Sequence, residues 1–237
     1  MQIASYFRKE NLEEILTALG TFPLTGGLSL GTEEVPSTRD VPIEDSVQAS
    51  RFLKSNEVGF FIHSSVGLMN VALRNHEFST LHFYLKDEFE HLAKPLVELL
   101  ASCPTEFGYA AQAEEFKHRN RLELATPTGS FEALIGKRLE NYIPGLYFIT
   151  YFSSGQIVSK RINAGLLRQE AVDTFSTHNG SVVIKFFDDH KGWREHAERL
   201  DELCAQVEGI FSKRLTNLES IECSDALALI QHTAKWP

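Results

Sequence analysis

Cysteine is scarce in this sequence. The chain of 237 residues has three cysteines, Cys103, Cys204 and Cys223, which are odd in number and far apart. Small secreted domains that depend on disulfides carry denser cysteine patterns. The sparse cysteines of this chain therefore favour reduced thiols in a cytosolic protein. Because no activating arrangement is recognisable around Cys103 and Cys204, we expect both to be buried as small apolar side chains.

Basic residues are also fewer than acidic residues. The chain has 23 Lys and Arg against 32 Asp and Glu, a formal net charge of −9. A nucleic-acid partner needs a basic face, so the composition argues against nucleic acid and favours a basic protein partner. No apolar run reaches the roughly 18 residues that a membrane-spanning helix needs. Residues 1–20 lack the apolar core and cleavage box of a secretory signal. We therefore expect a cytoplasmic protein that does not bind membranes.

A nucleotide-binding loop, a metal-ligand cluster and a nucleophile elbow are missing as well. In the stretch 63–67, neither Ser64 nor Ser65 has the flanking glycines that an elbow requires, which predicts a turn that ends a strand. The stretch 114–118 lacks the first histidine of a zinc-protease helix, which predicts a solvated helical turn with a Glu114–His118 pair. We expect no cofactor, no metal and no enzymatic activity.

Hydrophobic residues are abundant enough for a substantial core. They make up 43% of the chain, and 17 Phe outnumber two Trp and two Met, which indicates aromatic and aliphatic packing. The pattern of strand and helix runs predicts an α+β fold, with antiparallel sheets and packed helices. We expect an N-terminal α+β half at 1–113 and a C-terminal β-α-β-β-α half at 114–237. These are either two related halves or one continuous domain.

The periodicity of apolar residues places the elements along the chain. Predicted strands cover 26–30, 57–63, 78–85, 105–113 and 146–152. An Asn179-Gly180 turn predicts a hairpin of strands 171–177 and 181–187 with positive φ at both turn residues. Predicted helices cover 11–19, a segment ending near Lys54, 87–102 with a kink at Pro95, and 193–215. Residues 114–121 are a turn or short helix, and 154–167 are helical or irregular.

Two acidic segments are the candidate binding residues. The Pro-interrupted loop at 32–45 carries Glu33, Glu34, Asp40, Glu44 and Asp45. Such a run is either solvated surface or a set of carboxylates that steers a basic partner. Asp188 and Asp189 follow a predicted strand, where carboxylates bind metals or act as bases. They also precede a helix, and we favour the interpretation that they cap it.

Three motifs make the second half similar to a known family. They are Glu115-Phe116-Lys117-His118-Arg119-Asn120, the run 142–152 that begins Tyr-Ile-Pro-Gly-Leu-Tyr-Phe, and the run 182–189 that ends Phe-Phe-Asp-Asp. Together they resemble the bacterial immunity proteins associated with type VI secretion and polymorphic toxins, over about residues 105–210. Phe148 stands where that family usually has Trp.

The resemblance implies a protein that neutralises a cognate antibacterial toxin by covering its active site or substrate groove, without turnover. The partner would then be a toxin or effector with a basic surface. It would meet Glu33, Glu34, Asp40, Glu44 and Asp45, with Asp188 and Asp189 as a second patch.

Two other functions stay open at this stage. An α+β hydrolase or transferase would use His63, His118 or the pair Asp188 and Asp189. A regulatory module would bind a small ligand between the two halves. Residues 118–121, His-Arg-Asn-Arg, form a small polar cluster that could bind an anion. The oligomeric state and the identity of the toxin are left open.

Overall fold

The computed structural model describes residues 1–23, 27–126, 129–215 and 233–234. The strands of these residues are β1 (Gln2–Phe7), β2 (Ser29–Gly31), β3 (Val41–Pro42), β4 (Gly59–Ser64), β5 (Gly67–Ala72), β6 (Ser79–Leu85), β7 (Thr105–Ala111), β8 (Arg121–Thr126), β9 (Gly129–Leu134), β10 (Ile149–Phe152), β11 (Asp173–Ser176) and β12 (Val182–Lys185). The helices are α1 (Leu12–Thr21), α2 (Ser46–Ser55), α3 (Ala93–Ser102), α4 (Ala113–Asn120), α5 (Ser154–Ser159), α6 (Ala164–Gln169) and α7 (Trp193–Gln206). Gly26, in the predicted strand 26–30, and Cys223 lie outside the described residues.

Ten strands form one sheet in the order β11-β12-β10-β7-β1-β6-β5-β4-β2-β3. The run from β1 through β6, β5 and β4 to β2 and β3 is antiparallel at every step, and β10 pairs antiparallel with β7. Strands β8 and β9 form a separate antiparallel pair. A large antiparallel sheet with several helices confirms the predicted α+β class.

Alternation of side chains explains how the strands build the core. In β6, Leu81 and Phe83 are fully buried, whereas Tyr84 on the opposite face is 49% exposed, as the sequence predicts. Helix α1 buries Leu12, Ile15, Leu16 and Leu19, which confirms the predicted apolar face. Strand β1 was not predicted, because its buried residues form a continuous run rather than an alternating one.

The chain divides into two compact units. The first contains residues 1–110, 149–154 and 175–183, and the second contains 111–148, 155–174 and 184–237. The first unit therefore takes in β10 and the turn between β11 and β12, which come late in the chain. The second holds β8, β9, α4, α6 and α7.

Two predicted helices have different bounds in the structure. Residues 87–102 are a 3-10 segment, Asp87–Leu92, followed by α3, so Pro95 lies in the first turn of a helix rather than at an interior kink. Proline is tolerated there because the first-turn N–H groups have no intrahelical acceptor. Helix α7 ends at Gln206 rather than near 215, yet Ile210 and Phe211 beyond it remain buried. Ile210 instead makes a parallel bridge with Ile143.

The predicted hairpin forms, but its turn differs from the expected one. Strands β11 and β12 are neighbours, and Gly180 has a φ of 83°. Asn179 is not among the described residues with positive φ, so the two-residue turn prediction is wrong. The Asn179 amide donates instead to the carbonyl oxygens of Ala101 and Cys103, at 3.1 and 3.3 Å. These bonds satisfy carbonyl groups at the end of α3.

Replacing Gly108 with alanine should destabilise the sheet. Gly108 lies opposite Tyr151, and a Cβ atom there would lie 2.5 Å from the Ala4 carbonyl oxygen and would clash with Cε1 and Cζ of Tyr151. Overpacking of this kind costs about 1–3 kcal/mol. A Cβ at Gly192 would meet nothing within 4 Å. We expect urea unfolding to show a lower free energy of unfolding for Gly108→Ala and almost no change for Gly192→Ala. Equal effects of both substitutions would contradict this packing.

Candidate functional site

The acidic loop at 32–45 is anchored from its centre to strand β4. Nδ1 of His63 lies 2.8 Å from Oδ2 of Asp40, and Nε2 of the same ring lies 3.2 Å from the carbonyl oxygen of Glu34. The His63 and Asp40 side chains are only 7% and 9% exposed. Which ring nitrogen of His63 donates depends on the tautomer of the ring.

Hydrogen bonds inside the loop add to this anchor. Asp40 also accepts from the backbone N–H and the hydroxyl of Ser37, at 3.1 and 3.0 Å. Burial by itself would raise the pKa of Asp40, but the bonds from Ser37 and His63 outweigh it and hold that pKa below its usual value. The loop is therefore an ordered element whose inner carboxylate is ionised.

The five predicted loop residues divide into two groups. Glu33, Glu34 and Glu44 are exposed. Asp40 faces inward to His63, and Asp45 caps α2 by accepting from the Gln48 backbone N–H at 3.0 Å and from the Gln48 side-chain amide at 2.7 Å. The sequence showed the cluster of acids, but it could not show which of them stabilise the loop and which face the solvent.

A groove of about 400 Å³ lies beside this loop. Its apolar lining includes Leu16 of α1, Leu30 of β2, Ile43 of the loop and Leu53 of α2. Glu13 and Glu44 also line it and add negative charge. Sequence reasoning missed this groove because its walls come from segments far apart in the chain.

Asp188 and Asp189 lie in the second unit and are both exposed, with 89% and 71% of their side chains accessible. Asp189 accepts from the backbone N–H of Lys191 at 2.9 Å and so caps the 3-10 segment His190–Gly192, whereas the N-cap residue of α7 is Gly192, so the capping prediction is confirmed for Asp189 alone. Asp188 is 3.5 Å from the ammonium group of Lys185.

The residues of the family motifs meet in one buried network of the second unit. The amide of Asn120 donates to the carbonyl oxygens of Ile135 and Pro144, at 3.1 and 2.8 Å, and its oxygen accepts from the Tyr147 hydroxyl at 2.5 Å. Asn120 and Tyr147 are fully buried. Asn120 therefore holds the Pro144-Gly145 segment to the end of α4.

Two ion pairs extend the network from α4. Glu115 is fully buried, accepts from the Phe148 backbone N–H at 2.9 Å and lies 3.8 Å from Arg119. Arg119 in turn donates to Asp201 of α7 at 2.5 Å. Burial raises the pKa of Glu115 to about 7, because its desolvation outweighs the attraction of Arg119 and the bond from Phe148.

The predicted Glu114–His118 pair is wrong, because α4 places the two side chains with other partners. Glu114 binds Lys117 at 2.8 Å, and Nε2 of His118 lies 2.9 Å from Asp201. Burial likewise tends to raise the pKa of Asp201, but the bond from His118 and the charge of Arg119 lower it overall. The helical turn itself is confirmed as α4.

Cys103 and Cys204 are buried, as predicted, and burial raises the pKa of each thiol to about 11. Within the described ranges, no three His, Cys, Asp or Glu side chains lie together as a metal-binding group. None of the described helices is long and apolar enough to cross a membrane. No protein-family model, curated protein or solved structure matches this chain.

Glu115 should make the stability of the protein depend on pH. Its pKa is raised from 4.5 to about 7 in the folded protein. The folded state therefore binds more protons than the unfolded chain between these values, and stability falls as pH rises through them. Over this range the free energy of unfolding falls by roughly 3 kcal/mol. We expect Glu115→Gln, which keeps an acceptor for the Phe148 N–H, to remove this component of the decline between pH 4.5 and 8.

The measurement is urea unfolding at several pH values, with Glu114→Gln as the control on the same helix. Glu114 is exposed and paired with Lys117, so its replacement should leave the decline in place. Parallel stability curves for the wild type and Glu115→Gln would show that Glu115 is ionised throughout this range.

Proposed function

We propose that this chain is an immunity protein that binds and neutralises a cognate antibacterial toxin delivered by a type VI or related system. Binding covers the toxin's active site or substrate groove, and no bond is made or broken. The observation that carries this proposal is the ordered acidic loop, whose exposed carboxylates are held by the buried pair His63 and Asp40.

Order in the loop matters because flexible segments lose conformational freedom on binding. A loop already held by Asp40, Ser37 and His63 loses less, so more of its contact energy appears as affinity. Glu33 and Glu34 then present negative charge in a defined position. Complementary charge of this kind accelerates encounter with a basic partner and sets its orientation.

Apolar surface accompanies the acids, as a stable interface requires. Val35 in the loop is 71% exposed, and Val47 at the start of α2 is 61% exposed. The groove lined by Leu16, Leu30 and Leu53 offers a recess for an apolar side chain of the partner. Interfaces combine such a recess with a polar rim, and a few anchor residues supply most of the binding energy.

The family resemblance supports the same proposal from the second unit. The motif residues Glu115, Asn120 and Tyr147 form a buried structural network, so the motif describes a scaffold. Binding surfaces are commonly carried on loops of a rigid scaffold, which allows related scaffolds to serve different partners. The acidic loop is such a surface, and a cytoplasmic location would let it meet an incoming toxin.

A second candidate function is the binding of a small molecule in the groove. Its volume of about 400 Å³ falls within the range of ligand pockets. Thermal denaturation with a metabolite library tests this, since a ligand that binds the folded state raises the melting temperature. Stabilisation by a compound, abolished by Leu53→Trp in the groove, would favour this function over toxin binding.

Co-expression with the toxin encoded beside the gene tests the main proposal. We expect the wild-type chain to restore growth of cells that make this toxin, because the complex occludes the toxin's active site. A purified complex of defined stoichiometry should form at the same time. Failure of both rescue and complex formation would overturn the proposed function.

Charge reversal in the loop tests which surface is used. We expect Glu33→Lys with Glu34→Lys to lower the association rate constant about 10- to 100-fold at low salt, because steering by the loop is reversed. The matched control is Glu57→Lys with Glu88→Lys, which makes the same charge change at exposed residues of the first unit. Surface plasmon resonance at two salt concentrations measures the association rate constant of each double variant. Equal losses in the two variants would place the interface elsewhere.

A further inference from the structure

A basic cleft in the second unit is not used by the proposed function. It has a volume of about 270 Å³ and lies among the end of α4, the start of α7 and Lys213. Its lining contains the cationic side chains of Lys117, Arg121, Arg194 and Lys213, together with His118, Trp193 and one acid, Glu114. In a chain with nine more acidic than basic residues, this is an unusual concentration of positive charge.

The carboxylates around the cleft balance only part of this charge. Glu114 binds Lys117 at 2.8 Å, and Glu132 binds the guanidinium group of Arg121. Arg194 stacks over the Trp193 ring, with its guanidinium carbon 4.7 Å from the ring centre, and Lys213 donates to the Arg121 carbonyl oxygen at 3.2 Å. The stacking contact leaves the charge of Arg194 in place, whereas the charge of Lys213 also acts on the carboxylate of Asp201 and helps to lower its pKa. The cations also act on Glu114, because Lys117 first, and Arg194 and Arg121 after it, lower its pKa.

One wall of the cleft combines a buried ring, Trp193, with the exposed but hydrogen-bonded ring of His118. Trp193 is 6% exposed, and its ring centre is 5.5 Å from that of His118. His118 is bound to Asp201, which also accepts from Arg119. The cationic side chains are therefore carried on a rigid frame, which lowers the entropy lost when they bind a ligand.

Arg119 is a buried cation that lines a second, smaller cavity and not the cleft itself. It is 4% exposed, and its Nε and Nη2 atoms have no hydrogen-bond acceptor among the described residues. It lines a small cavity of about 30 Å³ together with Asp201, Ser212 and Arg214. Lys213 lines both this cavity and the cleft. Oε2 of Glu115 likewise has no hydrogen-bond donor among the described residues, and Nη2 of Arg119 lies 3.8 Å from Oε1 of the same carboxylate, so Arg119 belongs to the internal ion-pair network and not to the lining of the cleft.

We propose that this cleft binds the phosphate group of a small molecule, as free phosphate, pyrophosphate or a phosphomonoester. Arg121 and Arg194 provide planar donors for phosphate oxygens, and Lys117 and Lys213 provide point charges. The volume of the cleft suits one or two phosphate groups, and the Trp193 ring is already covered by Arg194 on one face. The site is in the second unit and is independent of the acidic loop.

Isothermal titration with inorganic phosphate, pyrophosphate and glycerol phosphate tests the site, with ionic strength held constant by potassium chloride. Fluorescence of Trp193 in a Trp236→Phe background gives a second readout beside the cleft. We expect saturable binding with a dissociation constant below about 1 mM. This corresponds to a standard free energy of binding that favours the complex by at least about 4 kcal/mol. The ligand that binds most tightly shows whether the site takes free phosphate, pyrophosphate or a phosphomonoester.

Variants locate the binding in the cleft. Arg194→Gln with Lys213→Gln should weaken binding at least tenfold, whereas Arg51→Gln with Lys54→Gln, the same charge change on α2, should leave it unchanged. Circular dichroism establishes that each variant is folded, and Lys117→Gln replaces the double variant if that one is not. The proposal is overturned if phosphate acts no differently from chloride, or if the cleft variant binds as tightly as the wild type. Toxin rescue by the cleft variants separates this result from the proposed function.

Discussion

The hydrogen bonds of Asn120 are the constraint on which the second unit depends. One buried amide joins the carbonyl oxygens of Ile135 and Pro144 to the hydroxyl of Tyr147. Buried polar groups are costly when unpaired, so these segments are stable only when they meet at Asn120. Glu115 and Arg119 on the same helix extend this constraint to Phe148 and Asp201. The motif that suggests a family is thus the part of the chain that determines how this unit packs.

The first unit uses a hydrogen bond between two nearly buried side chains for a different purpose. His63 and Asp40 connect strand β4 to a loop that would otherwise be a solvated acidic segment. Replacing either residue leaves the polar group of the other without its hydrogen-bond partner, which makes the contact sensitive to substitution. In return, the loop has a defined shape, with Glu33, Glu34 and Val35 on its outer side. This order is the reason that we propose the loop as a binding surface.

Charge is distributed unevenly over the chain, and the net value of −9 conceals this. The exposed acids of the loop and groove belong to the first unit, whereas Lys117, Arg121, Arg194 and Lys213 line one cleft of the second. Each unit therefore has a surface of its own sign, suited to a different kind of partner. These are the surfaces for which we propose a basic protein partner in the first unit and a phosphate group in the second.

The sequence by itself determined the class of fold and the elements with strong periodicity, such as α1 and β6. In these, the spacing of apolar residues along a few turns or strand positions carries the signal. Strand β1 and the early end of α7 were decided by tertiary packing, since their apolar runs fit more than one structure. The same distinction between sequence and tertiary structure applies to the site residues. Acidity at 32–45 is visible in the sequence, but the contact between Asp40 and His63 joins positions 23 residues apart. The groove and the cleft likewise join distant segments, and only the folded chain brings such groups within contact distance.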